Sequence, residues 1–271
     1  MTVISGGAFN IKNTGSLVQT NNVMNSGNIN MERIANLRLQ DYCYWSSPVG
    51  NLLAGTFPVQ SVSPLTPAGY IFKWGTTTTN PNGGQGNWVS TTENMIPATG
   101  YILRGPTGFN NVSTSALTAN FIGTPNNGIF SPSIFRGTNY TTVGTQGIPR
   151  TATDDNWNLI GNPYPSAIGV NEFLTLPANN TIAGSVQVWS HGLLPTNITD
   201  PFYQNFVFNY FPSDYITINL TGATSGPGDY KIGSGQGFMV VMNAGAAGSS
   251  TVTFNNSMRS ATFANNQFYK I

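Results

Sequence analysis

The sequence predicts an all-β fold: duplicated antiparallel β-sandwich-like units preceded by a short β-helix-like or hairpin N-terminal segment. Three observations carry this expectation. Short runs rich in Val, Ile, Thr, Tyr and Phe, bounded by clusters of Gly, Pro and Asn, follow one another along nearly the whole chain; that is how strands and turns read. Only 7% of the 271 residues are charged, against about 25% in an average soluble domain. With 39% apolar and 12% aromatic residues the chain still has a core to bury, so its surface must be made of Asn, Thr, Ser, Gly and Gln. The third observation is a set of internal matches in constant order, described below.

Residues 1–40 form the first segment. Phe9-Asn10-Ile11-Lys12, Leu17-Val18-Gln19, Val23-Met24 and Ile29-Asn30-Met31 alternate with Asn- and Gly-rich turns, and Asn13-Thr14-Gly15 and Asn25-Ser26-Gly27 lie 12 residues apart. Such units fit either coils of a parallel β-helix or a pair of hairpins. Residues 41–150 form a first β unit, and 151–271 a second, related unit with an insertion near 193–229. Helical periodicity is confined to Gly169-Val170-Asn171-Glu172-Phe173-Leu174.

The duplication rests on four matches. Tyr42-Cys43-Tyr44-Trp45-Ser46-Ser47-Pro48 aligns with Trp157-Asn158-Leu159-Ile160-Gly161-Asn162-Pro163, and Ile71-Phe72-Lys73-Trp74 with Val186-Gln187-Val188-Trp189, both at an offset of 115. Gly100-Tyr101-Ile102-Leu103 aligns with Gly237-Phe238-Met239-Val240 at 137, and Thr118-Ala119-Asn120-Phe121 with Thr251-Val252-Thr253-Phe254 at 133. Two units with one apolar face each bury it by packing together. Trp74 and Trp189 are then equivalent core anchors. The glycines before Tyr101 and Phe238 provide a sharp turn or a close approach to bare backbone.

The run Asn156-Trp157-Asn158-Leu159-Ile160-Gly161-Asn162-Pro163-Tyr164-Pro165-Ser166 resembles the W-N-L-[IV]-G-N-P-Y-P-S segment of large secreted and cell-surface proteins of Bacteroidetes, especially flavobacteria. Tyr44-Trp45-Ser46-Ser47-Pro48-Val49, Asn82-Gly83-Gly84-Gln85-Gly86-Asn87-Trp88, Ser234-Gly235-Gln236-Gly237-Phe238 and Val252-Thr253-Phe254-Asn255-Asn256-Ser257-Met258-Arg259 fit the same family. The resemblance implies export by the type IX secretion system and display at the outer cell surface, in adhesin-like or stalk-like proteins. It also implies an excised region of a longer polypeptide, because such proteins carry a signal and a sorting domain. It brings no catalytic residue with it.

Composition narrows the function classes further. The formal net charge is +1, with ten basic residues scattered along the chain, so nucleic acid is not expected as a partner. No apolar stretch is long enough for a membrane-spanning helix, and no membrane insertion is expected. Cys43 reads as a buried structural thiol. His191 is the single histidine, and Gly233-Ser234-Gly235-Gln236-Gly237 runs into a strand rather than a helix, so a Ser234–His191–Asp200 triad is not expected. Neither are Glu93 and Asp229 spaced as a glycosidase pair. Asp154 and Asp155, with Asn156, and Asp200 are candidate oxygen ligands for calcium, with a turn as the competing reading; no other cofactor is expected.

The aromatic run Phe202 to Phe211 lies in the insertion. Tyr203, Phe206, Phe208 and Tyr210, with Trp88, are the candidate ligand-binding residues, because exposed rings beside amides suit sugar faces and hydroxyls. The expected function is that of a non-catalytic extracellular module of an adhesin-like or structural protein. The alternatives are a carbohydrate-binding module of a secreted enzyme or adhesin, and a filament or phage structural protein. Expected partners are other domains of a longer surface polypeptide, cell-surface or environmental glycans, and further copies of the chain, since a net charge near zero gives little repulsion.

Overall fold

A computed structural model describes residues 1–4, 7, 9–50, 58–80, 84–137, 155–190, 192, 196–197, 208–209, 214–224, 230–245 and 248–269, with backbone alone at 196–197 and 208–209. The fold is all-β and built twice. At the N-terminus β1 (Asn10–Ile11) runs parallel to β2 (Ile29–Leu37), pairing Asn10 with Asn30 and Ile11 with Met31. Thr2 bridges Ser26, again in parallel. This pairing is parallel, so β1 and β2 do not form a hairpin, which would pair antiparallel.

The first unit consists of β2, β3 (Tyr42–Trp45), β4 (Val49–Gly50), β5 (Ile71–Thr79), β6 (Gln85–Ser90), β7 (Tyr101–Arg104) and β8 (Ser115–Pro125). One sheet has the order β3-β7-β5-β6, and a second has β1-β2-β8-β4. The remaining strands are β9 (Ser133–Phe135), β10 (Trp157–Gly161), β11 (Ile168–Gly169), β12 (Ser185–Trp189), β13 (Thr196–Asn197), β14 (Phe208–Asn209), β15 (Tyr215–Asn219), β16 (Gly222–Ala223), β17 (Lys231–Ile232), β18 (Gly237–Val241) and β19 (Ser249–Thr251). Their main sheet has the order β10-β18-β12-β15-β16, and β9 pairs with β19. Strand for strand, β10, β18, β12 and β15 repeat β3, β7, β5 and β6. The pair β9/β19 repeats β2/β8. One helix, α1 (Val170–Leu174), buries Val170 and Phe173.

In these two sheets β3, β7, β10 and β18 are covered on both faces, which is why they read as nearly continuous apolar runs, whereas β12 and β15 alternate. On one face of the first sheet Cys43, Trp45, Tyr101 and Leu103 pack on Met31, Leu37, Leu117 and Phe121 from β2 and β8. In the second unit Ile160, Val186, Val188, Phe238 and Val240 pack on Ile134, Phe173, Val252 and Phe254. The other faces meet each other: Tyr42, Tyr44 and Ile102 against Leu159, Trp189 and Met239, edged by Phe72, Trp74, Trp88, Trp157 and Tyr215. Within this middle layer the Tyr44 and Tyr215 hydroxyls share a 2.6 Å hydrogen bond. Trp189 stands edge-on to Tyr215 at 4.7 Å, a preferred aromatic geometry.

A pseudo-two-fold axis relates the units. Trp45 bridges Gln236, and Ile160 bridges Thr99; Ser46 N–H donates to Gly235 O at 2.8 Å, and Gly161 N–H donates to Ala98 O at 3.0 Å. Each contact maps onto the other under the offsets of 115 and 137. Ala98 (φ 65°) and Gly235 (φ 74°) share the left-handed conformation before the strands that follow. Gly100 and Gly237 serve close approach. A Cβ on Gly100 would stand 2.7 Å from Ile160 O, and one on Gly237 would stand 3.1 Å from Trp45 O.

Candidate functional site

Side chains of the W-N-L-I-G-N-P run are tied into the fold. Trp157 and Leu159 enter the middle layer, and Ile160 the second core. The Asn158 amide lies between β10 and β9: its Oδ1 accepts from Phe135 N–H at 2.8 Å, and its Nδ2 donates to Phe135 O at 2.8 Å. It thereby acts as one rung of a strand. Asn162 Nδ2 donates to Ser166 O and Ile232 O at 2.8 and 3.0 Å. Tyr164 hydroxyl donates to Gly128 O at 2.6 Å.

Where β10 meets the first unit, a groove of about 640 Å³ opens. It is lined by residues 74–77 of β5, 96–99 before β7, 130–133 and 135 around β9, and 158–160 of β10. Polar groups of its floor are already bonded: Trp74 Nε1 and Thr76 Oγ1 donate to Trp157 O at 2.8 and 2.6 Å. Its walls are Trp74, Ile96, Pro97, Phe130, Pro132 and Phe135, with Thr77, Ser131 and Ser133 exposed around them. Ile96 is 55% exposed and Phe135 42%. None of the described residues lining the groove is titratable.

Buried cations hold the chain ends. Arg33, on β2, donates from Nη1 to Asn13 O and to Asn265 O, and from Nη2 to Gln267 O. Arg259 donates to Ser166 Oγ at 2.9 Å, Asn127 Oδ1 at 3.0 Å and Leu17 O, with its guanidinium over the Tyr164 ring. Desolvation lowers both guanidinium pKa values to about 10. Carbonyl, amide and hydroxyl oxygens accept from these guanidinium groups, Arg33 Nε alone among the donors of Arg33 lacking a partner, so the two charges act as clasps.

Of the residues singled out from sequence, Trp88 stands in the middle layer, edge-on to Trp74 at 4.9 Å. Phe208 lies on β14, whose backbone alone is described; Tyr203, Phe206, Tyr210, His191, Asp154, Asp200 and Asp229 lie outside the described residues. Asp155 is buried: its Oδ1 accepts from Gln85 N–H at 3.2 Å, and its carbonyl from Gly137 N–H at 2.8 Å. Ser234 Oγ donates to Tyr164 O at 2.8 Å. Glu93 accepts from Lys73 at 2.5 Å and from the Tyr101 hydroxyl at 2.9 Å. Cys43 is buried. Among the described residues no three of His, Cys, Asp and Glu stand together as metal ligands, and no helix is long and apolar enough to cross a membrane. The groove residues Trp74, Ile96, Phe130 and Phe135 were not singled out as a site, because they come from separate segments of sequence.

These features define an all-β protein of two pseudo-symmetric units sharing one aromatic layer, with an open groove whose described lining is uncharged. The chain belongs to the family described as "Domain of unknown function (DUF8693)", whose model matches residues 1–271. No curated protein and no solved structure matches it.

Proposed function

We propose that the chain is a non-catalytic module of a large secreted or surface-displayed protein of adhesin-like or structural type. The observation that supports it best is how its scarce charges are used. Glu32 holds Lys12, Asp41 holds Arg38, and Glu93 holds Lys73 and Tyr101, while Arg33 and Arg259 clasp the two ends of the chain. These groups are committed to architecture, whereas the open groove offers rings, methyls and hydroxyls, which suit binding rather than bond-breaking. Deleting the parent gene and labelling intact cells with an antibody to the module tests this. Surface labelling with reduced attachment of the deletion strain supports the reading. Labelling only of broken cells overturns it.

A carbohydrate-binding role is the second reading. It rests on the aromatic density of residues 202–211 in the sequence. A glycan array with calcium and with chelator, repeated on Tyr203→Ala and Phe208→Ala, tests it; a silent array from folded protein removes it.

A further inference from the structure

Among the described residues four arginines are buried: Arg33, Arg38, Arg104 and Arg259. Three of them are bonded through their guanidinium groups. Arg33 donates to the carbonyls of Asn265 and Gln267, Arg38 to the Asp41 carboxylate at 2.9 Å, and Arg259 to Ser166 Oγ and Asn127 Oδ1. Arg104, 8% exposed, is the exception. Among the described residues its side chain finds no hydrogen bond and no ion pair, and its Nε is sealed from solvent without a partner. What it has is the Tyr70 ring, whose centroid lies 3.4 Å from the guanidinium carbon. A buried charge without acceptors is costly unless something pairs it.

The fold does not ask for this charge. Arg104 stands opposite Tyr42 in the β3–β7 ladder, and the equivalent pair in the β10–β18 ladder is Trp157 with Val241. The second unit thus builds the same ladder with an aliphatic side chain where the first has a guanidinium. Asp41, next to Tyr42, is engaged elsewhere: its carboxylate accepts from Arg38 N–H at 2.8 Å and from Arg38 Nε at 2.9 Å. The loop beside Arg104 is braced. Thr66 Oγ1 donates to Arg104 O at 2.7 Å, Thr107 N–H to Leu65 O at 2.9 Å, and Gln60 Nε2 to Thr66 O at 2.7 Å. On this loop Leu65, Pro67, Ala68, Gly69 and Tyr70 are exposed, and a Cβ on Gly69 would meet nothing within 4 Å. A fixed cation therefore borders an open, uncharged loop that ends in an exposed ring.

We propose that Arg104 is the centre of a binding site for an acidic saccharide, whose sugar residue bears one carboxylate. Tyr70 covers one face of the guanidinium, which leaves the in-plane N–H edge for the ligand. A carboxylate matches that edge with two parallel hydrogen bonds. One cation amid uncharged residues suits one negative charge on an otherwise neutral, hydroxylated body. The exposed Tyr70 and Leu65 offer apolar surface on which a sugar face rests. The proposal gives the non-catalytic reading a ligand class and rests on it. Its test uses purified chain, so its failure leaves the surface-labelling result untouched, and its residues lie outside the aromatic run 202–211.

The experiment is isothermal titration calorimetry of the intact 271-residue chain with trigalacturonic acid. The control is its full methyl ester, which keeps the rings and hydroxyls and lacks the charge. Saturable binding of the acid is expected, weakened about tenfold or more for the ester and for Arg104→Val. Tyr70→Ala should weaken it as well. Because Arg104→Val copies the second unit's residue, the unliganded variant should melt at or above the temperature of the parent. Lack of saturable binding, or equal binding of acid and ester, overturns the proposal. So does a clear fall in the melting temperature of Arg104→Val, which would make the arginine a structural group. Acetate, or a peptide with a single glutamate, that binds through Arg104 as tightly as the saccharide makes the site a general carboxylate hole and likewise overturns it.

Discussion

The pseudo-two-fold axis passes between Ser46 and Gly161, equivalent positions of the two units, and this makes a sharp prediction about Gly161→Ala. An added Cβ would overlap Ser46 Cβ and lie 2.6 Å from Ser46 Oγ and 3.2 Å from Gln236 O. Neither side can yield easily, because Ser46 N–H is tied to Gly235 O at 2.8 Å and Gly161 N–H to Ala98 O at 3.0 Å. Overpacking at such a site costs about 1–3 kcal/mol, and the upper end is expected here. Ser46→Gly removes a buried hydroxyl that has no hydrogen-bond partner. That relief, about 1 kcal/mol or more, is offset by the glycine's backbone entropy of about 0.5–1 kcal/mol, so this variant should be near neutral. The double variant Ser46→Gly/Gly161→Ala should then regain most of the loss, with a coupling of about 2 kcal/mol. Urea denaturation of the four proteins, compared at constant m-value, measures this. Additive effects within about 0.5 kcal/mol would refute direct contact across the axis.

Four further outcomes are expected. Gly235→Ala should cost about 1–2 kcal/mol of stability from left-handed strain alone, since its Cβ would meet Phe121 and Arg33 at an ordinary 3.4–3.5 Å; thermal melts showing no loss would refute the strain. Ala98→Gly, at the equivalent left-handed position, trades relief against one buried methyl worth about 0.8 kcal/mol and should stay within about 1 kcal/mol of the parent. Asn158→Ala strands Phe135 N–H and O, costing about 2 kcal/mol, and hydrogen exchange should accelerate at Phe135 before it does in β18; uniform exchange would refute the strand-rung role. In alkaline titration, burial raises the Tyr42, Tyr101 and Tyr164 pKa values above the usual 10, so their stabilisation is full below pH 10 and is lost as pH rises. Arg33 and Arg259, lowered to about 10, contribute with the opposite sign in the same window. Absorbance at 295 nm should therefore show late tyrosine ionisation coincident with unfolding, whereas full ionisation of folded protein would refute the burial.

How much of this was legible in the sequence depended on whether a strand carried its pattern within itself. Tyr42-Cys43-Tyr44-Trp45 and Trp157-Asn158-Leu159-Ile160 could be matched because each faces two apolar layers, and both faces impose large side chains. Gly100 and Gly237 could be matched because each brings two backbones together. The opening strands escaped. β2 carries Arg33, which holds the C-terminal segment, while β9 follows Pro132 and has only three residues of ladder, so the pairing preserves a likeness that the side chains do not. The groove was hidden for the same reason: its four segments are joined only by the axis, and no single stretch spells it.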